Sequence, residues 1–166
     1  MKPGMIKYYA ITLVISLVMI AFGVQAFCAQ LTASGTWTRT FTASDLQAGA
    51  GSNLAGTFYS VSNETLLDVS NASGQSWQIE VRRQDVSWNS SMKIFVRRTG
   101  NGTPESGASV SGGQDYMEVT ETGSVFFTGS GNISSIPVEY KSEGVSISIP
   151  PSNYQTGVAF TISEVG

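Results

Sequence analysis

The chain has no histidine, which removes the commonest general base before any spacing is considered. Ser-His-Asp catalysis, Cys-His catalysis and histidine-based zinc sites go with it. No G-x-S-x-G elbow, G-x-G-x-x-G turn or phosphate-binding loop occurs, and no D-T-G or D-S-G marks an aspartic protease. Catalysis would have to rest on paired carboxylates, as in glycoside hydrolysis. The candidates are Asp85, Asp115, Glu118 and Glu121. Glu118 and Glu121 have opposite parity on a strand, so their side chains face opposite sides of it. Scattered acids on a polar sheet serve solubility, and the expectation is a protein that is not an enzyme and carries no cofactor.

Arg82-Arg83 and Arg97-Arg98, with Lys93, supply most of the positive charge beyond the N-terminal segment. Read as a site, Arg83, Lys93 and Arg97 would meet an anionic polysaccharide or an acidic neighbouring subunit. Adjacent residues on a strand alternate faces, however, so cross-strand pairing with Glu80, Asp85 and other acids is the favoured role. Trp37, Trp77 and Trp88, with Tyr59, Tyr116 and Tyr154, could form a sugar-stacking platform. Trp77 shares parity with Ile79 and Val81 and belongs to the core. Trp88, in the polar run Gln84-Asp-Val-Ser-Trp-Asn-Ser-Ser, is the better exposed candidate, and Tyr154 in Pro150-Pro-Ser-Asn-Tyr is the second. Asp115 and Glu118 are the residue types Ca²⁺ would take, but no EF-hand loop supports a site and no metal is expected. Asn63, Asn71, Asn89, Asn101 and Asn132 each begin an N-x-[ST] triplet.

These residues sit in a chain of 166 residues that is 41% hydrophobic but only 13% charged. Average domains carry about 25% charge. Ser, Thr, Asn, Gln and Gly make the polar surface instead, which suits strand faces and turns better than helix faces. Period-two alternation recurs along the chain and helical periodicity is nearly absent. Strands are expected at 36–42, 57–62, 65–69, 77–83, 92–98, 116–120, 124–128, 138–140, 145–149 and 158–163, with a flexible Gly/Ser loop over 99–114. The clearest are Gly144-Val-Ser-Ile-Ser-Ile and Gly157-Val-Ala-Phe-Thr-Ile-Ser, each with large apolar residues on one face. The similar runs 77–83 and 92–98 suggest a hairpin. Ile79, Val81, Ile94 and Val96 would share its core face, and Glu80, Lys93 and Arg97 would meet on the other. Short strands with turn signals every ~8–12 residues predict an all-β fold, an antiparallel β-sandwich of the immunoglobulin-like or jelly-roll Greek-key type.

A signal helix precedes this domain. Lys2 and Lys7, the apolar run Tyr8–Val24 and the small-residue exit at Val24-Gln25-Ala26 are laid out as a secretory signal peptide. Cleavage after Ala26, or as late as Ala29, leaves one domain over 27–166. The run is short of the ~20 residues a spanning helix needs, so contact with the membrane is expected only during export. The single Cys28 gives no intramolecular disulfide. Removing Lys2 and Lys7 from the 9 basic residues, against 12 acidic ones, leaves a net charge of −5. That sign disfavours nucleic acid.

Beyond the cut, Leu31, Ala33, Gly35, Trp37, Arg39 and Phe41 alternate with Ser and Thr, and the Gly-rich stretch 49–56 separates this segment from the rest of the chain. A detachable first strand of this kind can complete a neighbour's sheet by β-strand addition. Leu31, Ala33, Trp37 and Phe41 are its candidate contact residues. If it does not detach, the segment is the first strand of its own sandwich. Signal peptide, alternating N-terminal segment, Ser/Thr/Gly-rich sandwich and final strand together resemble secreted pilus and fimbrial subunits in layout, without the disulfide many of those carry. The resemblance implies a secreted or cell-surface structural or adhesive protein, a fibre or coat subunit partnered by itself or by other surface proteins. The alternative is a carbohydrate-binding module that holds a polysaccharide on Trp88 and Tyr154.

Overall fold

The computed structural model describes residues 29–165. The expected signal segment and Cys28 lie outside the described residues. Eleven strands are described: β1 Gln30–Ser34, β2 Thr57–Tyr59, β3 Thr65–Ser70, β4 Ser76–Ser87, β5 Lys93–Arg98, β6 Thr103–Pro104, β7 Ser109–Ser111, β8 Met117–Glu118, β9 Ser124–Ser130, β10 Ile133–Glu143 and β11 Gln155–Glu164. A 3₁₀ turn over Ala43–Asp45 is the only helical element among them. No described helix is long and apolar enough to cross a membrane.

The strands form two antiparallel sheets that share one apolar core, an all-β, sandwich-like arrangement. The larger sheet runs β1-β3-β10-β5-β8, and the smaller runs β11-β4-β9-β7. β10 organises the larger sheet because it is long enough to take two short strands on each flank. β3 and β2 pair along one side of it, and β6 and β5 along the other. Its sequence explains its position. Ile136, Val138, Tyr140 and Ser142 alternate inward and are buried, whereas Glu139, Lys141 and Glu143 point outward. A bulge between Ile133 and Ile136 places Ser135 at φ 55°, held by its amide donating to Asp68 Oδ1 at 2.8 Å.

Trp77, Ile79 and Val81 of β4 supply the opposing layer, and Phe126 and Phe127 of β9 stack edge-to-face at 4.9 Å. The Trp77 indole N–H donates to Gly131 O at 2.9 Å, so the ring is buried without an orphaned donor. Truncating a fully buried aliphatic such as Leu67 or Ile79 in so closed a core costs about 2–5 kcal/mol.

Four expectations from sequence are corrected. Residues 77–83 and 92–98 are not a hairpin: β4 and β5 belong to different sheets. Ile79, Val81, Ile94 and Val96 still share the core, but from opposite layers. Residues 145–149 are not a strand despite their alternation. Gly144 turns the chain at φ 77° against the Ser91 carbonyl, Ile149 N–H closes a turn on Ser146 O, and Pro150-Pro151 prevents further pairing. The 99–114 loop contains β6 and β7 and is tied down. Finally, the strand expected over 36–42 is displaced: the paired residues are Gln30–Ser34, in register with Leu66–Ser70 of β3.

Candidate functional site

The outward face of the larger sheet gathers charged and aromatic side chains from four strands. Lys93, Phe95 and Arg97 of β5 lie opposite Glu143, Lys141 and Glu139 of β10. Tyr59 of β2 flanks Lys141, and Glu118 of β8 flanks Phe95. Their sequence neighbours Ile94, Val96, Val138 and Tyr140 are buried, so strand parity sends these side chains outward.

Each cation on the face has a carboxylate. Arg97 holds Glu139 through Nε and Nη2, both at 2.7 Å. Lys93 Nζ reaches Glu118 at 3.0 Å, and Lys141 Nζ reaches Glu143 at 2.7 Å. Arg97 therefore finds Glu139 rather than the expected Glu80, which instead accepts from Gln78 Nε2 at 3.3 Å. Aromatic rings fill the spaces between the charges. Lys141 Nζ lies 4.1 Å from the Phe95 ring centre and 4.8 Å from that of Tyr116, and the Arg97 guanidinium lies 4.7 Å from Tyr116. Tyr59 and Tyr116 rings are 6.0 Å apart. Burial, with Glu139 beside it, pushes the Tyr116 phenol up to about 12. Its hydroxyl is buried without a well-formed hydrogen bond. The hydrogen bond from Arg97 to Glu139 raises the Arg97 pKa further. With three cations matched by three carboxylates, the face has no net charge to attract a polyanion, and its uncommitted surface is aromatic. Tyr59 is 58% exposed.

The other sequence candidates lie elsewhere. Arg83 is on β4 in the smaller sheet, away from Lys93 and Arg97. Its Nε is 2.7 Å from Asp85 Oδ1 as a charge contact lacking hydrogen-bond direction, and its Nη2 is 3.7 Å from Glu121. Its guanidinium covers the Trp88 ring at 5.5 Å. Trp88 is half-buried against the core, and its indole N–H donates to Met92 O at 3.0 Å. It is fixed in place rather than presented as a free platform, because the β4 strand extends to Ser87 and carries the ring back over the core edge. Tyr154 is half-buried, and its hydroxyl donates to Pro150 O at 2.7 Å, clasping the Pro-Pro turn.

Three of the four candidate acids are committed to cations: Asp85 and Glu121 to Arg83, and Glu118 to Lys93. Asp85 Oδ1 also accepts the Thr156 hydroxyl at 2.8 Å. Among the described residues no three of Asp, Glu, Cys or His converge to hold a metal ion. Two triplet asparagines are structural. Asn132 Oδ1 accepts from Ala72 N–H and its Nδ2 donates to Glu105, while Asn101 Oδ1 accepts from Arg98.

Arg98 itself was not singled out by sequence. It is 3% exposed, with Nε and Nη2 donating to Gly112 O at 3.0 and 2.8 Å, and Nη1 to Gly100 O at 2.7 Å and Asn101 Oδ1 at 2.6 Å. Loop carbonyls replace a counter-ion, and this pins 99–114 to the core. Burial lowers its pKa. Its parity with Ile94 and Val96 was the available signal.

The N-terminal segment divides into two parts. In β1, Leu31 lies opposite Val69 and is half-buried, whereas Ala33 lies opposite Leu67 and is exposed. Past Gly35 the chain leaves the sheet. Trp37 stacks on Tyr140 at 6.2 Å and 8°, Phe41 meets Phe58 edge-on at 4.7 Å, and Arg39 lies over Phe58 while pairing with Asp45. The Thr42 backbone N–H bonds Asp45 Oδ2 and draws its carboxyl below the usual range. Residues 36–41 make no backbone–backbone hydrogen bond among the described residues. The alternation seen in sequence is therefore that of a strap across Tyr140 and Phe58. Comparison with protein families, curated proteins and solved structures finds no match for the chain.

Proposed function

We propose that this chain is an exported, non-enzymatic surface protein of structural or adhesive role, a fibre or coat subunit that assembles by β-strand addition. The sheets are read as a Greek-key sandwich of the immunoglobulin-like or jelly-roll kind, in which β4 and β5 cross between layers. Its partners are further copies or other surface proteins, and its location is outside the cytoplasm after removal of residues 1–26.

One observation carries the reading. The described segment 30–42 holds to the body through the five-residue ladder of β1 on β3, one half-buried apolar side chain, Leu31, and a few ring contacts, and residues 36–41 make no backbone–backbone hydrogen bond among the described residues. As the end strand of its sheet, β1 can leave β3 and re-form the same ladder and contacts on a neighbour's β3, so the exchange has little net cost. Deleting Gln30–Ser34 tests it, because the strap over Phe58 and Tyr140 remains. The expected result is loss of SDS-resistant oligomers with the far-ultraviolet spectrum retained. An unmodified protein that forms no SDS-resistant oligomer, or SDS-resistant oligomers that survive the deletion, refute it.

A second reading is supported by the aromatic outer face: a glycan-binding module that stacks sugar on Tyr59. Trp88 and Tyr154, bound up in their own contacts, are less suited to the task. Titration with oligosaccharides should then give a calorimetric signal that Tyr59→Ala abolishes and Trp88→Phe preserves.

A further inference from the structure

Of the four strands that end the two sheets, β11 is the longest, with ten residues against five in β1, three in β7 and two in β8. One flank pairs with β4, and the other has no ladder partner among the described residues. β1 runs close by but bonds to β3. Natural sheets blunt such edges with Lys, Pro, inward charges or bulges. Gln155–Ser163 contains no Lys, Arg, Asp, Glu or Pro, and the one irregularity falls between Gln155 and Thr156, leaving Gly157 onward regular. Val158, Phe160 and Ile162 point to the core yet remain only partly buried, whereas their β4 neighbours Val81 and Ile79 are 1% and 0% exposed. The apolar layer is unfinished on this side.

The sequence of the edge identifies what completes it. Reading outward from Phe160, Ala159 mirrors Thr161, Val158 mirrors Ile162, and Gly157 mirrors Ser163. Each pair matches in size and face, and this self-complementarity is what a two-fold contact requires. We propose that β11 pairs antiparallel with β11 of a second copy about an axis through Phe160. Val158 then lies opposite Ile162 of the second copy, Phe160 opposite Phe160, and Ala159 opposite Thr161. Glu164 falls opposite Thr156, so no like charges meet. Two four-stranded sheets become one of eight strands with a continuous apolar face. A slip of one residue would turn the apolar row of one copy to the solvent side, which leaves only even slips, and the size match about Phe160 selects among them. This edge is separate from β1, so the contact holds whether or not the N-terminal strand is exchanged.

Sedimentation velocity on the exported protein tests the proposal. Thr161 is exposed on the outer face, and Thr161→Lys sets an ammonium at two symmetric places in the pairing. The dimer should weaken by about tenfold or more, with the far-ultraviolet spectrum retained. Thr128→Lys, on the same sheet but on the interior strand β9, should leave it unchanged. Ala159→Cys/Thr161→Cys in a Cys28→Ser background should give a covalent dimer on oxidation, since the paired positions face each other twice. Deleting Gln30–Ser34 should spare the dimer. A protein that stays monomeric overturns the proposal. So does a dimer indifferent to Thr161→Lys, and if that dimer is lost on deleting Gln30–Ser34, it is the N-terminal assembly instead.

Discussion

Arg98 keeps a positive charge in the interior with carbonyl dipoles in place of a carboxylate. The guanidinium tolerates this because its ordinary pKa is so high that burial does not neutralise it. Arg98→Met leaves Gly100 O, Gly112 O and Asn101 Oδ1 without their donors, and urea unfolding should show a loss of about 3 kcal/mol. Arg98→Lys should recover less than half, because one ammonium cannot span acceptors on both sides of a planar fork. A methionine variant as stable as the parent would refute the anchoring role. Tyr116 reports on the outer face by its titration. Its folded pKa is about 12 against an ordinary 10, so the folded state holds the proton more tightly. The contribution is therefore complete below pH 10 and is lost as pH rises from 10 toward 12. Tyr116→Phe should flatten that part of the stability profile. Glu139→Gln should bring the phenol's absorbance titration to lower pH by removing the carboxylate beside it.

At the scale of elements, Gly35 decides whether β1 and the strap are one unit or two. Its φ of 135° and its contact with the Glu64 carbonyl leave no room for a Cβ. Gly35→Ala should cost about 1–3 kcal/mol and lift β1 from β3, read as faster proteolysis within 30–42 while β10 amides stay protected. Unchanged protection of β1 would argue that the strand is firmly held, against a detachable role. Strand existence was largely legible from alternation: β3, β4, β5, β9 and β11 lie where period two placed them. Pairing was not, because alternation states which residues face inward and not which neighbour they meet. The β4–β5 similarity reflects two strands meeting one core from opposite sides. Residues 145–149 have the pattern of a strand but lack a partner, since the chain turns at Gly144 and prolines follow. The outer-face cluster could have been anticipated for Lys93 and Arg97, but Glu139, Lys141 and Tyr116 come together only once β10 is known to lie between β3 and β5.

For the molecule as a whole, the decisive feature is that neither sheet has a core of its own. Leu67, Val69, Val96, Ile136 and Val138 come from the larger sheet, and Trp77, Ile79, Val81, Phe126 and Phe127 from the smaller, in one cluster. Separating the layers would expose both sets at once, at roughly 25 cal/mol for each Å² of apolar surface. No intramolecular disulfide is available to hold one layer while the other opens, because the chain has a single cysteine. The sheets should therefore unfold together. Leu67→Ala, in the larger sheet, and Ile79→Ala, in the smaller, should each lower stability by about 2–5 kcal/mol. Native-state hydrogen exchange would then show the slowest amides of β4 and β10 falling by the same amount in either variant, because both exchange only by global opening. If Ile79→Ala lowered protection in β4 and left β10 unchanged, the layers would be separate cooperative units. The shared cluster would then be a contact between two folded bodies. The same experiment bears on assembly: a subunit can release β1 and still present an intact edge at β11 only if the remaining strands open as a single unit.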